Sequence, residues 1–248
     1  SLRRQRQMCI RDSRKRDMEE SDMSFQIYNW LEKYVHEVVS TFGYRIWFIG
    51  VQGSYARGEA TEESDIDVVL ILDTLLPADL RIYRGMLNRL PYREKICGFI
   101  SGREELENWS KADLFQFCQD TMPLKGSLDE IVAKLDMADV RRAVHTGACN
   151  LYHAACHNML HEQSREVLME LYKTSVFTIQ AEYFLKTGNY LRRKAELFPK
   201  LNGLDREILY IAIEMKQKSG KVKGSFDELS EKLIVWSSGL IRQYQGEK

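Results

Sequence analysis

The stretch that decides the fold is GVQGSYARGEATEESDIDVVLIL, Gly50 to Leu72. It opens on the end of an apolar run, YRIWFIGVQ, that is too short for a buried helix and closes at Gly53, and so predicts a buried strand. It ends on IDVVLIL, which predicts a second strand of the same kind. Between them GSYARGEATEES holds glycines, small residues and polar residues without a sustained apolar period, as expected of a turn and a short helix. Gly53 permits close backbone approach, and Ser54 offers a hydroxyl and an amide at a helix start, where free N–H groups attract phosphate. Asp65 and Asp67, two apart on a strand, project from one face and can converge on hard divalent cations. Arg57 adds a forked cation within the same loop. Alone, an Asp-x-Asp pair would read as the solvated start of a strand; the order strand, turn, helix, acidic strand is what argues for chemistry.

Outward from this motif, apolar residues from Ser24 to Thr41 recur at helical spacing, so an amphipathic helix opens the domain. After Pro77, ADLRIYRGMLNRL predicts a helix and REKICGFISG a third strand. REELENWSKADLFQFCQD returns to helical spacing, and TMPLKGSL, holding Pro123 and Gly126, suits a last edge strand. Beyond Asp129 the chain is helical in character, which implies a bundle. The expected class is α+β: a mixed sheet with helices over residues 23–128, then an all-α bundle over 129–248. Residues 1–22 are polar and Arg-rich without periodicity, and read as a non-native or disordered leader, with a basic tail as the alternative.

Composition excludes several classes. Lys plus Arg and Asp plus Glu each total 36, so no overall basic field recommends nucleic acid as partner. The five cysteines are an odd number, spread widely and without a Cys-x-x-Cys pair, which argues against a disulfide framework or zinc ribbon and fits a reducing cytoplasm. No apolar run approaches the roughly 18 residues that would span a bilayer.

GSYARGEATEESDID resembles the motif of the DNA polymerase β-like nucleotidyltransferases, in particular the minimal and aminoglycoside nucleotidyltransferases. The resemblance implies that Gly53 and Ser54, with Ser64 ahead of the first Asp, bind the triphosphate of ATP or another nucleotide, while Asp65 and Asp67 bind magnesium. It also implies a third carboxylate on a neighbouring strand, for which Glu94, at the start of REKICGFISG, is the candidate, although it is flanked by Arg93 and Lys95. The helical half resembles the substrate-binding or HEPN bundles that accompany such transferases. Within it YFLKTGNYLRRKAEL would bring Arg193 or Lys194 near nucleotide phosphate, with Lys173 a further candidate. The other reading of that segment is a helix corner with Gly188 as C-cap and a solvated basic face.

His153, His157 and His161 share one side of a helix, but no familiar zinc spacing surrounds them, and stacked histidines on a bundle face are the expectation. The function expected is transfer of a nucleoside monophosphate, adenylate from ATP, to a hydroxyl by two-magnesium catalysis. The acceptor would be a small molecule such as an aminoglycoside, making antibiotic resistance the consequence. Two alternatives stand beside it: an antitoxin that adenylylates a HEPN toxin partner, and a nucleotide-binding regulatory module with weak turnover.

Overall fold

The computed structural model describes residues 22–217 and 223–245; the leader expected over residues 1–22 lies, up to residue 21, outside the described residues. Helix α1 (Asp22–Phe42) leads through a 3-10 turn (Gly43–Arg45) to β1 (Ile46–Val51), α2 (Gly53–Arg57) and β2 (Ile66–Leu72). Helix α3 (Pro77–Leu87), a 3-10 turn (Arg93–Lys95), β3 (Ile96–Gly102), α4 (Arg103–Glu107), α5 (Lys111–Asp120) and β4 (Met122–Lys125) follow. The rest is helical: α6 (Asp129–Val132), α7 (Met137–His157) with a π turn (Asn158–Glu162), α8 (Arg165–Thr187), α9 (Lys194–Leu197), α10 (Gly203–Gln217) and α11 (Phe226–Gln243).

The sheet order is β3-β2-β1-β4. β2 runs parallel to β3, with Ile66 against Ile96, and antiparallel to β1, which pairs antiparallel with β4. A strand in this position is covered on both faces, which is why IDVVLIL is continuously apolar rather than alternating. Val68, Leu70 and Leu72 pack with Trp30, Tyr34 and Val38 of α1 and Tyr83 and Met86 of α3. Val69 and Ile71 face Phe48, Leu106 of α4 and Leu114 and Cys118 of α5. Asp67 is the one residue of β2 that is not buried.

Two boundaries differ from those expected. β1 and β3 begin at Ile46 and Ile96, because the residues ahead of each strand close a 3-10 turn instead. The helical stretch 103–120 is two helices. The Asn108 side chain donates to the Glu104 carbonyl at 2.9 Å, competing with the backbone ladder, and Trp109 turns its ring edge-on to Phe99 at 5.6 Å. Pro123, with no N–H, is tolerated because β4 is an edge strand paired on one side to β1.

The helical half has its own apolar core, in which Val144, Ala148, Leu151, Tyr172, Ile179, Leu233 and Trp236 meet. Phe115 of α5 packs into that core while Leu114 and Cys118 of the same helix pack on the sheet, so α5 is shared between the halves. Gly188 ends α8 in the left-handed conformation, with its N–H on the Phe184 carbonyl at 2.7 Å. The segment beyond it crosses back to the sheet: Arg192 donates to the carbonyls of Gln119 and Thr121, and Arg193 Nε to the Arg57 carbonyl at 3.1 Å.

Candidate active site

β1 delivers the chain to Gln52, whose N–H donates to the Asp67 carbonyl at 2.7 Å and so pins the end of β1 to the start of β2. The chain then reverses at Gly53, with φ +67°, a conformation disfavoured for residues with a side chain. Space imposes the same choice: a Cβ on Gly53 would lie 1.9 Å from Asp67 Oδ2. Gly53 and Asp67 are thus fitted to each other. The short helix α2 carries Ser54 and Arg57 and is closed by left-handed Gly58.

Asp65 and Asp67 stand at the open end of β2, Asp65 exposed and Asp67 half-buried. Burial raises the Asp67 carboxyl above its ordinary range and the neighbouring Asp65 charge adds to this, while Arg57 and Lys173 pull the other way. A carboxylate whose ionisation its neighbour opposes forms with that neighbour a donor set that a divalent cation would relieve.

The pair opens into a cavity of ≈ 1240 Å³ between the sheet and the helical half. Gln52, Gly53, Ser54, Arg57, Ser64, Asp65 and Asp67 line it from one side, and Met169, Glu170, Lys173, Phe177, Gln180 and Lys194 from the other. Phe99, Trp109, Asp113, Gln116, Phe117 and Asp120 form a further wall. There Phe99 packs edge-on to both Trp109 and Phe117, the latter at 5.2 Å.

The sequence-derived candidates divide accordingly. Gly53, Ser54, Arg57, Ser64, Asp65, Asp67, Lys173 and Lys194 all line one cavity. Ser64 Oγ accepts from the Thr61 N–H at 2.8 Å, shaping the turn ahead of Asp65. Lys194 reaches the site from the helical half, but its ammonium is paired with Glu59, whose Oε1 also accepts the Lys194 N–H at 2.9 Å. Burial raises the Glu59 carboxyl, and these contacts with Lys194 outweigh it, so the net shift is downward. Arg57 lies 3.4 Å from the same carboxylate. Lys173 forms an exposed pair with Glu170 at 3.2 Å.

Glu94 stands elsewhere. It lies in the 3-10 turn ahead of β3, exposed, and is absent from the cavity wall. The strand starts at Ile96, three residues later than expected, and the residue in register with Asp67 is Cys97. Among the described residues no group of three or more His, Cys, Asp and Glu side chains could hold a metal ion, which applies equally to Glu94 beside the Asp pair and to the histidine row. His153 and His157, and His157 and His161, form tilted ring pairs at 6.3 and 4.8 Å on an exposed face of α7 and the following turn.

Sequence reasoning passed over Asp120. This carboxylate is 6% exposed, at the end of α5. Gln116 Nε2 donates to its Oδ2, the Tyr190 hydroxyl donates to Oδ1 at 3.2 Å, and Gln116 and Tyr190 are themselves joined at 2.9 Å. Burial raises its carboxyl, opposed by Gln116, Arg57, Tyr190 and Arg192. An Asp closing an amphipathic helix reads as a solvated cap, and nothing local distinguishes it; Tyr190 lies 70 residues away.

Residues 31–116 match the family model of the nucleotidyltransferase domain. A protein of Methanocaldococcus jannaschii whose name proposes a protein adenylyltransferase is 40% identical over 63 residues, 25% of this chain and 60% of that protein. The chain thus spans about three fifths of the length of this relative. The crystal structure of a spectinomycin adenyltransferase from Enterococcus faecialis, determined with ATP and spectinomycin, superposes with a TM-score of 0.53 at 14% identity. The match covers 83% of this chain and 98% of that one, so the sheet and the helical half together share its fold.

Proposed function

We propose that this chain, whose residues 31–116 carry a nucleotidyltransferase domain, transfers adenylate from ATP to a hydroxyl of a small molecule and releases pyrophosphate. The observation that carries the reading is the convergence of Gly53, Ser54, Arg57, Asp65 and Asp67 on one cavity large enough for a nucleotide and a second ligand. Gly53 and Ser54 hold the triphosphate, and Arg57 offsets part of its charge. Asp65 and Asp67 would hold magnesium, which would supply charge neutralisation for the transferring phosphoryl group. The rest of the chain supplies position: Gln52 fixes the two strand ends, and the segment from Arg192 to Lys194 closes the helical half over them.

The remaining wall supports a reading of the acceptor. Glu62, Glu63, Asp113, Asp120 and Glu170 line the cavity beside the Asp pair, against Arg57, Lys173 and Lys194 as cations, and Phe99, Trp109, Phe117 and Phe177 supply apolar surface. An acidic, aromatic cleft favours a cationic hydroxylated acceptor over an anionic one. Incubation with radiolabelled ATP, magnesium and a panel of aminoglycosides, spectinomycin included, tests this by label transfer and pyrophosphate release. Nucleotide binding without release for any acceptor rejects the enzyme and leaves a nucleotide-binding regulatory module.

A protein acceptor is the second reading, favoured by the name of the Methanocaldococcus relative. Label from ATP carried on a protein band after incubation with host extract, in the absence of small-molecule transfer, would select it.

A further inference from the structure

Adenylyl transfer needs a group that takes the proton from the acceptor hydroxyl, and Glu94 lies in the turn ahead of β3, outside the cavity wall. We propose that Asp120, on the cavity wall contributed by α5, is the catalytic group that accepts this proton; the inference rests on the adenylyl-transfer reading.

Placement is the first argument. β4 begins at Met122, in register with Val51 of β1, and Val51 is in register with Val68 of β2. Asp120, two residues ahead of Met122, and Asp67, one ahead of Val68, therefore lie at the same end of the sheet, about 10 Å apart by two strand spacings. Gln52 ties the two corners, its N–H on the Asp67 carbonyl at 2.7 Å and its Nε2 on Thr121 Oγ1 at 2.6 Å. Helix α5 lies over the sheet face that bears Asp67, as the Phe117 and Phe99 rings at 5.2 Å record. Asp67 and Asp120 both line the same cavity.

Chemistry is the second. Of the other acids on the wall, Glu62, Glu63 and Asp113 are exposed, and the Glu170 side chain is 68% exposed and paired with Lys173. Asp120 is buried yet anchored on one lone pair of each oxygen, which leaves each oxygen a further lone pair. The charged and titratable groups that bear on it are Arg57 of α2 and Tyr190 and Arg192 of the returning segment; burial outweighs them and makes it a stronger base than an ordinary Asp. In the step proposed, the acceptor oxygen forms a bond to the α-phosphorus and its proton passes to Asp120. The bond from that phosphorus to the bridging oxygen breaks, and pyrophosphate leaves with the electron pair. Asp120 then returns its proton to solvent.

The test uses the full chain with ATP, magnesium and the acceptor selected by the panel above, or water as acceptor where none is selected. Asp120→Asn should bind a non-hydrolysable ATP analogue within about threefold of wild type and lose about 100-fold or more in kcat, with Asp120→Glu restoring part. The acid limb of the wild-type kcat/KM profile should lie above the usual Asp range and vanish in Asp120→Asn. Tyr190→Phe, which removes a donor to the ionised form, should move that limb to higher pH. An Asp120→Asn protein with unchanged kcat and pH limb overturns the proposal, as does one whose only change is a lower Tm. If Asp65→Asn abolishes release while Asp120→Asn does not, adenylyl transfer stands and the role of Asp120 falls. No release by the wild type overturns both.

Discussion

Gly53→Ala tests the fit between the turn and the strand that carries Asp67 most directly. A Cβ there would stand 1.9 Å from Asp67 Oδ2, where ordinary contact begins at 3.4 Å, so the two must separate by about 1.5 Å. Asp67 is held at its backbone by Gln52 and by the ladder to β3, which leaves its carboxylate as the part that yields. Displacing a catalytic group by about 1 Å costs ~100-fold in rate. The left-handed backbone adds a strain of about 1–2 kcal/mol to any residue with a Cβ, which in a chain of this size lowers Tm by about 2–8 °C. The control is Gly58→Ala, with φ +66° and the flexible end of the Arg193 guanidinium at 3.3 Å as the nearest atom. Pyrophosphate release and calorimetry should show comparable losses of Tm in both proteins and a rate loss of about 100-fold in Gly53→Ala alone. A Gly53→Ala protein within about threefold of wild-type kcat/KM, or two proteins with equal activity loss, would refute the reasoning.

Three further outcomes follow from the geometry. Asp67→Asn should abolish magnesium-dependent binding of an ATP analogue with Tm near wild type, because it removes a charge that Asp65 opposes; titration calorimetry with and without magnesium reads this. Arg45 grips Asp79 with two hydrogen bonds of 2.8 Å, and with the Leu76 N–H this holds the Asp79 carboxyl at about 2, below its unfolded value of 3.8. The pair's contribution is present above about pH 4 and lost as pH falls through about 2, so Asp79→Asn should flatten the acid limb of the stability curve and cost about 2 kcal/mol at neutral pH by chemical denaturation. Glu59→Gln weakens the Lys194 pair that ties the two halves; KM for ATP and limited proteolysis of the segment 188–194 should both rise, with kcat changed less than KM.

What could be read from the chain was local. The two buried strands, the turn between them and the pairing of Asp65 with Asp67 follow from hydrophobic runs, a glycine and period-two alternation, all between Ile46 and Leu72. The helix–strand order around them was legible for the same reason, apart from the break at Asn108 to Ser110, where a side chain competes with the backbone, and the late starts of β1 and β3.

Glu94 stands off the sheet because a single residue count ahead of a strand decides whether a carboxylate enters the sheet face or stays on a turn, and here the 3-10 turn holds it outside. Lys194 was legible as a cation near the site but not as the partner of Glu59, 135 residues away. Asp120 was invisible in sequence because its burial comes from Gln116 on its own helix and Tyr190 on the segment that returns from the helical half, after Phe115 has docked α5 into that half. By itself the sequence determined the turn, the acidic strand and the resemblance to a nucleotidyltransferase domain, since those rest on neighbours along the chain. Which carboxylates face the cavity, how basic each is and what the cleft can accept were decided only when distant segments packed, because burial and charge proximity are properties of space rather than of order.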